Sequence, residues 1–234
     1  MRRSTARARP WALLVIAAAG LSGIGAAFAL VIWLPSYRPA LRPGERYGVD
    51  VSAFQGRIDW PSVAGDHIGF AYIKATEGAN FVDPEFVRNW AAAGSAGLAR
   101  GAYHFFSLCV PGIVQARNFM QAVPPDPAAL APALDLELAG NCHARPSAET
   151  VAAQLAAFLQ AVQAATGRQV VLYLGSDFAY RYPLPVEQSQ PLWLRRLFRR
   201  PPGRQWVFWQ VDGNADVSGI TGDVDLDVMR PGSP

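Results

Sequence analysis

Three short runs of this chain carry carboxylates in a pattern suited to acid chemistry. Ala133-Leu134-Asp135-Leu136-Glu137-Leu138 alternates strictly, so as a strand it puts Asp135 and Glu137 on one face and the leucines on the other. Asp223-Val224-Asp225-Leu226-Asp227-Val228 alternates in the same way, and Asp50 sits in the otherwise apolar run Tyr47–Val51. Carboxylates gathered on one inward face repel one another and lose hydration, so at least one should keep a proton near neutrality. A shared proton is what acid cleavage of a glycosidic bond requires: one carboxylic acid protonates the leaving oxygen while a second group stabilises the developing oxocarbenium charge. Aromatic residues in or near strand candidates, Trp60, Tyr72, Tyr103, Phe105, Trp193, Trp206 and Trp209, could offer flat faces to sugar rings, although most should fill the core. Tyr72, Lys74 and Trp193 join the candidate substrate contacts, with a structural salt bridge as the first reading of Lys74. His104 reads as a core histidine rather than a base.

The elements that must position these groups follow from periodicity. Short apolar runs rich in β-branched and aromatic residues mark eight strands, over 47–51, 68–73, 101–106, 132–138, 169–174, 192–194, 206–211 and 223–228. Asp83 with Pro84 should cap a helix through Phe86, Val87 and Trp90. A helix after Ser147 buries Val151, Leu155, Phe158, Leu159 and Val162 and stops at Gly167. Alternating strands and helices argue for parallel βαβ units. The helical signal fades after residue 175, so the expected fold is a single irregular α/β barrel of eight strands with fewer outer helices. In such barrels the site lies at the carboxyl ends of the strands.

The formal charge of +3 is unevenly placed: residues 1–46 carry a net +6, which leaves −3 for residues 47–234. A mildly acidic domain excludes the basic face that nucleic-acid binding normally needs. From Trp11 to Leu34 run 24 residues without a charge, and about 20 suffice to span a bilayer as a helix. Residues 1–10 then read as a basic cytoplasmic head, 11–34 as a transmembrane signal anchor, 35–46 as a Pro-rich linker and 47–234 as the catalytic domain. The expected location is the inner membrane with the domain in the periplasm or outside the cell, or secretion if the segment is cleaved. Arg195, Arg196, Arg199, Arg200 and Arg204 form a basic cluster, read as a solvated face or a contact for an anionic polymer or lipid head groups.

Cys109 and Cys142 suit an oxidising compartment. Neither belongs to a Cys-x-x-Cys pair, and His143 is the only histidine beside either, so no metal site or cofactor is expected. Each cysteine follows one of two sequential strands joined by a crossover helix. Such strands are usually neighbours about 4.8 Å apart, which places both loops on the same barrel face and makes a disulfide sterically reasonable.

Taken in order, YGVDVSAFQGRIDW (47–60), FAYIKATEG (70–78), RGAYHFF (100–106), ALDLE (133–137), PLWLR (191–195), WVFWQV (206–211) and GITGDVDLDV (219–228) resemble the family 25 glycoside hydrolases, the N-acetylmuramidase lysozymes that cut peptidoglycan. The resemblance implies hydrolysis of the β-1,4 bond between N-acetylmuramic acid and N-acetylglucosamine on peptidoglycan glycan strands. It places the family's acidic positions on Asp50, Asp135, Glu137 and Asp225, with Glu137 as acid and base and Asp135 assisting the substrate's N-acetyl group. Gln55, Tyr103, Trp209 and Gln210 match groove-lining positions. Two residues depart from the pattern: Asp227 stands where Asn is usual, and Arg195 where a small residue usually follows. A non-catalytic, membrane-anchored peptidoglycan-binding protein of the same fold is the competing reading.

Overall fold

The computed structural model describes residues 34–183, 189–203 and 205–234. The basic head and all of the expected anchor but Leu34 lie outside them, as does Arg204. Among the described residues no helix is long and apolar enough to cross a membrane. Leu34–Ser36 forms one 3₁₀ turn, and Arg38–Pro234 forms a compact unit of its own.

In that unit eight strands close on themselves. They are β1 (Arg46–Val51), β2 (Ile68–Glu77), β4 (Ala99–Phe105), β5 (Ala133–Leu136), β6 (Val171–Leu174), β7 (Leu192–Arg195), β8 (Trp206–Ala215) and β9 (Val224–Met229), and β1 pairs with both β2 and β9. A two-residue strand, β3 (Phe81–Val82), adds a small hairpin to the end of β2 that sequence patterning does not reveal. The helices are α1 (Trp60–Gly65), α2 (Phe86–Ser95), α3 (Gly112–Ala122), α4 (Ala148–Thr166) and α5 (Ser176–Arg181). All eight expected strands are present, but the last one departs from the βαβ expectation. β9 runs antiparallel to both β8 and β1. Only residues 216–223 join β8 to β9, and a parallel return needs a crossover of a dozen or more residues.

Local chemistry explains the helices. The Ser147 side chain accepts from the Thr150 amide and Gly167 ends α4 in the left-handed region, while Val151, Leu155, Phe158, Leu159 and Val162 are all buried. α2 starts later than Asp83 suggests. Asp83 instead accepts from the Glu85 amide and, across the structure, from the Ala53 amide, so it ties the chain leaving β1 to the start of α2.

The barrel interior below the site is an aromatic plug. Phe70, Tyr72, Tyr173, Trp193 and Phe208 pack with Ala133, Val171 and Met229, and the Tyr72 ring lies 4.9 Å from Trp193 and 5.2 Å from Phe208. Two glycines make room for it. A Cβ at Gly48 would stand 2.3 Å from the Phe70 ring, and one at Gly101 equally close to Tyr72. The stretch expected as a linker is pinned from Arg38 onward, because its charges find partners: Arg38 pairs with Asp66, and Glu45 with Arg200 at 2.6 Å.

Cys109 and Cys142 form the expected disulfide, with Cα atoms 6.1 Å apart and a separation of 33 residues. It joins the loops that leave β4 and β5. In the chain-entropy model a loop of this size stabilises by about 3–4 kcal/mol. The double variant Cys109→Ser/Cys142→Ser is therefore expected to lose about that much in urea unfolding; a loss below about 1 kcal/mol would show that the loops are held without the bridge.

Candidate active site

Inward-facing residues above the aromatic plug line an open cleft with an empty volume of ≈ 610 Å³. Asp50 from β1, Asp135 from β5, Glu137 just beyond it and Asp225 from β9 share this cleft with Gln55, Tyr103, Trp193 and Gln210. Asp225 lies at the start of its strand, yet because β9 is antiparallel that start lies at the same barrel end as the carboxyl ends of the parallel strands. Asp50 and Asp225 are direct cross-strand partners.

The remaining expected contacts lie elsewhere. Tyr72 is fully buried in the plug, its hydroxyl donating to the Ala131 carbonyl. Trp209 points to the opposite side of β8 from Gln210; its indole donates to the Arg196 carbonyl and the Arg200 guanidinium covers its ring at 5.0 Å. Lys74 turns to Glu77 at 2.7 Å and packs on Phe81 and Phe105. It does not line the cleft, but its charge bears on Asp135 and Glu137. Arg200 is taken up by Glu45 and the two tryptophans, so the basic cluster is not one solvated face. His104 is buried between Thr76 and Gln115, and burial pulls its pKa down to about 4.

Phe54 and Tyr173 line the cleft and escape sequence reasoning, whereas Asp227, already marked by the sequence, is not on the lining. Phe54 is 93% exposed at the cleft rim, on a 3₁₀ turn fixed by a capping box between Ser52 and Gln55 and by Asp83 below. Tyr173 donates to Gln210 Oε1 at 2.8 Å, which leaves the Gln210 amide to hydrogen-bond Asp50. Asp227, fully buried, accepts from the Trp193 indole at 2.8 Å. The in–out parity of strand β6 is the signal that could have found Tyr173.

The electrostatics follow from burial. Desolvation, and then the neighbouring Glu137 and Asp50, hold Asp135 well above the ordinary carboxylate range. Glu137 is also raised, chiefly by desolvation, against the pull of its hydrogen bond with Asp135 and of Arg195. Desolvation and the charge of Asp50 push Asp225 up to about 9, with Arg195 opposing. Asp50 is raised by burial and by Asp227. The arrangement can therefore hold protons at neutral pH in an open, aromatic-walled groove, which is the requirement for acid cleavage of a sugar polymer.

The family model for glycosyl hydrolases family 25 matches residues 49–220. YegX of Escherichia coli O157:H7 is 39% identical over 192 residues, covering 79% of this chain and 69% of its own. Lysozyme M1 of Streptomyces globisporus is 32% identical over 193 residues, or 76% and 65% of the two chains. Among solved structures, a family 25 glycosyl hydrolase from Bacillus anthracis aligns with a TM-score of 0.76 at 32% identity, over 82% of this chain and 92% of its own. A bacterial lysozyme from Streptomyces coelicolor aligns with a TM-score of 0.72 at 31% identity, over 82% and 94%.

Asp225 yields a stability test. Its folded-state pKa is raised, so between about 4 and 9 the folded chain holds a proton that the unfolded chain releases, and stability falls as pH rises through that window. Asp225→Asn removes the dependence. It is expected to be more stable than the parent at pH 8 by roughly 0.5–2 kcal/mol, with a smaller gap at about pH 5, as measured by urea unfolding. Equal stability at pH 8 would contradict the proton count.

Proposed function

Because this chain belongs to family 25 of the glycosyl hydrolases and is a glycoside hydrolase of the muramidase type, we propose that Glu137 is the general acid and base for cleavage of the β-1,4 bond after N-acetylmuramic acid in peptidoglycan, and that Asp135 works through the substrate's N-acetyl group. The observation that carries this reading is the placement of Asp135 and Glu137, two residues apart on one strand face, together on the wall of the aromatic-lined cleft.

Burial raises both partners, so the pair retains a proton where isolated carboxylates are ionised. In the empty cleft the two carboxyl groups share that proton. Substrate biases the sharing. The N–H of the sugar's acetamido group donates to Asp135, favours its carboxylate form and sends the proton to Glu137. Substrate thus arms the acid.

Glu137 then protonates the leaving glycosidic oxygen while the acetamido oxygen bonds to the anomeric carbon, and the Asp135 carboxylate stabilises the positive charge on the amide. Water, giving its proton to the Glu137 carboxylate, attacks the same carbon and expels the acetamido oxygen. Two displacements retain the β configuration without a protein nucleophile. Inversion would need an ionised Asp50 or Asp225 as base, and burial disfavours the charged form of both, raising Asp225 to about 9. Phe54 at the rim offers an exposed ring for a more distant sugar.

A single-pass anchor at residues 11–34, with the domain beyond the cytoplasmic membrane, completes the proposal. It is supported by the uncharged run of 24 residues and by the disulfide.

The purified full chain acting on isolated peptidoglycan is expected to release new N-acetylmuramic acid reducing ends, seen as the muramic alditol after borohydride reduction; new N-acetylglucosamine ends alone would refute the bond assignment. Glu137→Gln should lower the rate by about 10²–10⁴, and a folded variant that keeps more than about a tenth of the parent rate would remove Glu137 from the role. The nascent product should be the β-anomer by NMR. An initial α-anomer would reject substrate assistance.

A further inference from the structure

Asp227 is completely buried next to the cleft acids, and its surroundings show what a carboxyl group does there. β1 and β9 pair with Asp50 opposite Asp225 and Gly48 opposite Asp227. Asp50 and Asp227 are therefore diagonal neighbours on one face, and the missing side chain at Gly48 leaves Asp227 free to reach across. Asp227 is completely buried and spends Oδ1 on the Trp193 indole N–H. Asp50 takes a hydrogen bond from Gln210. Oδ2 of each carboxyl is buried and has no N–H or O–H to accept from. The two carboxyl groups are close enough to act on each other, and their buried, unpartnered Oδ2 atoms can be satisfied by one another. Two carboxyl groups can share a hydrogen bond only if one of them carries a proton.

We propose that Asp227 is a positioning residue that shares one proton with Asp50, so that Asp50 faces the cleft as a neutral hydrogen-bond donor and the negative charge of the pair rests on Asp227, against the Trp193 indole. The two partners are unequal in the required sense. Only Asp227 has the charge-stabilising indole donor and no place on the cleft lining, whereas Asp50 lines the cleft. Burial raises both groups; the contact between them adds to the rise of Asp50, whereas for Asp227 that contact and the Trp193 indole oppose it. An anionic Asp50 would stand close to Asp135 and Glu137 and compete for the substrate's N–H groups. A neutral Asp50 can donate to a sugar oxygen and leaves Asp135 as the acceptor.

Other groups at this barrel end shape the titration. From β9 and β5, Asp225, Asp135 and Glu137 bear on the pair. The charge of Asp50 bears on the hydroxyls of Tyr103 on β4 and Tyr173 on β6, and that of Asp227 on the hydroxyl of Tyr72 on β2. Asp212 on β8 and Arg195 on β7 act on Asp225, and Lys74 and Arg195 on the Asp135–Glu137 pair.

The inference rests on the proposed role of the cleft, but its test does not need turnover. In the ¹³C-labelled full chain, the Asp50 carboxyl carbon, assigned by comparison with Asp50→Asn, is expected to report a protonated group at pH 6. An ordinary carboxylate titration in the parent protein would overturn the proposal, and this measurement stands even if a variant fails to fold. In Asp227→Asn the new amide N–H donates to Asp50 and charges it, so its titration midpoint should fall by at least about one pH unit; an unchanged midpoint would likewise overturn the proposal. The charge now on Asp50 should move the alkaline limb of the hydrolysis profile upward by about half a unit or more, and a lower rate with an unmoved limb would mark Asp227 as merely structural. If the parent protein proves inactive on peptidoglycan, the Glu137 assignment fails while the two titrations still decide the role of Asp227.

Discussion

Five carboxyl groups, Asp50, Asp135, Glu137, Asp225 and Asp227, are confined to one end of a barrel about which two cations, Lys74 and Arg195, are placed to compensate. Taking an unpaired carboxylate out of water costs several kcal/mol even after relaxation. The fold meets this constraint with protons rather than ion pairs. Asp135 and Glu137 act on each other, as do Asp50 and Asp227, while Asp225, without such a carboxyl partner, is pushed up to about 9. The arrangement destabilises the folded chain at neutral pH and equips it for acid chemistry, so stability and activity draw on the same groups.

Concentrating charge in this way needs rigid walls. Below the carboxyls the aromatic plug fills the barrel interior with buried rings, and Gly48 and Gly101 are required to fit them. To one side, the loop after Glu137 is fixed by Asn141, whose side chain uses its full hydrogen-bonding capacity. It donates to the carbonyls of Phe106 and Glu137 and accepts from the amides of Leu108 and Cys142. This one amide therefore ties the exit of β5 to the exit of β4, and the disulfide lies beside it. The acid is positioned through its own backbone, while its side chain stays free to exchange a proton with Asp135 and substrate.

Strand alternation made much of this legible before any coordinates. It put Asp135 and Glu137 on one face, since a period of two depends only on the local chain, while short apolar runs located all eight barrel strands. Two properties lay beyond it. Height within the barrel is set by stagger between strands, so Tyr72 and Tyr103 look equivalent in sequence, although one fills the plug and the other lines the cleft. Strand direction depends on the length of the preceding connection, and the antiparallel return of β9 brings its start, with Asp225, to the site. Trp209 was a different case: next to Gln210 on one strand, it could not share the lumen with it, and parity alone would have assigned it to the outer face.

His104 sets the opposite limit on pH. It is neutral in the fold because burial lowers its pKa from 6.5 to about 4, so as pH falls through that interval the unfolded chain gains a proton that the folded chain refuses, and stability is lost. The raised carboxylates behave in the reverse sense, losing their contribution as pH rises from about 4 toward 9 in the case of Asp225. The histidine is held by Thr76, at the β2 end next to Glu77, and by Gln115, which also binds the Ser107 amide in the loop leading to Cys109. Protonating it would disturb the same loops that Asn141 and the disulfide keep in place. The active cleft is thus bounded on the acid side by a core histidine outside it, and on the alkaline side by the protons its own carboxyl groups must keep.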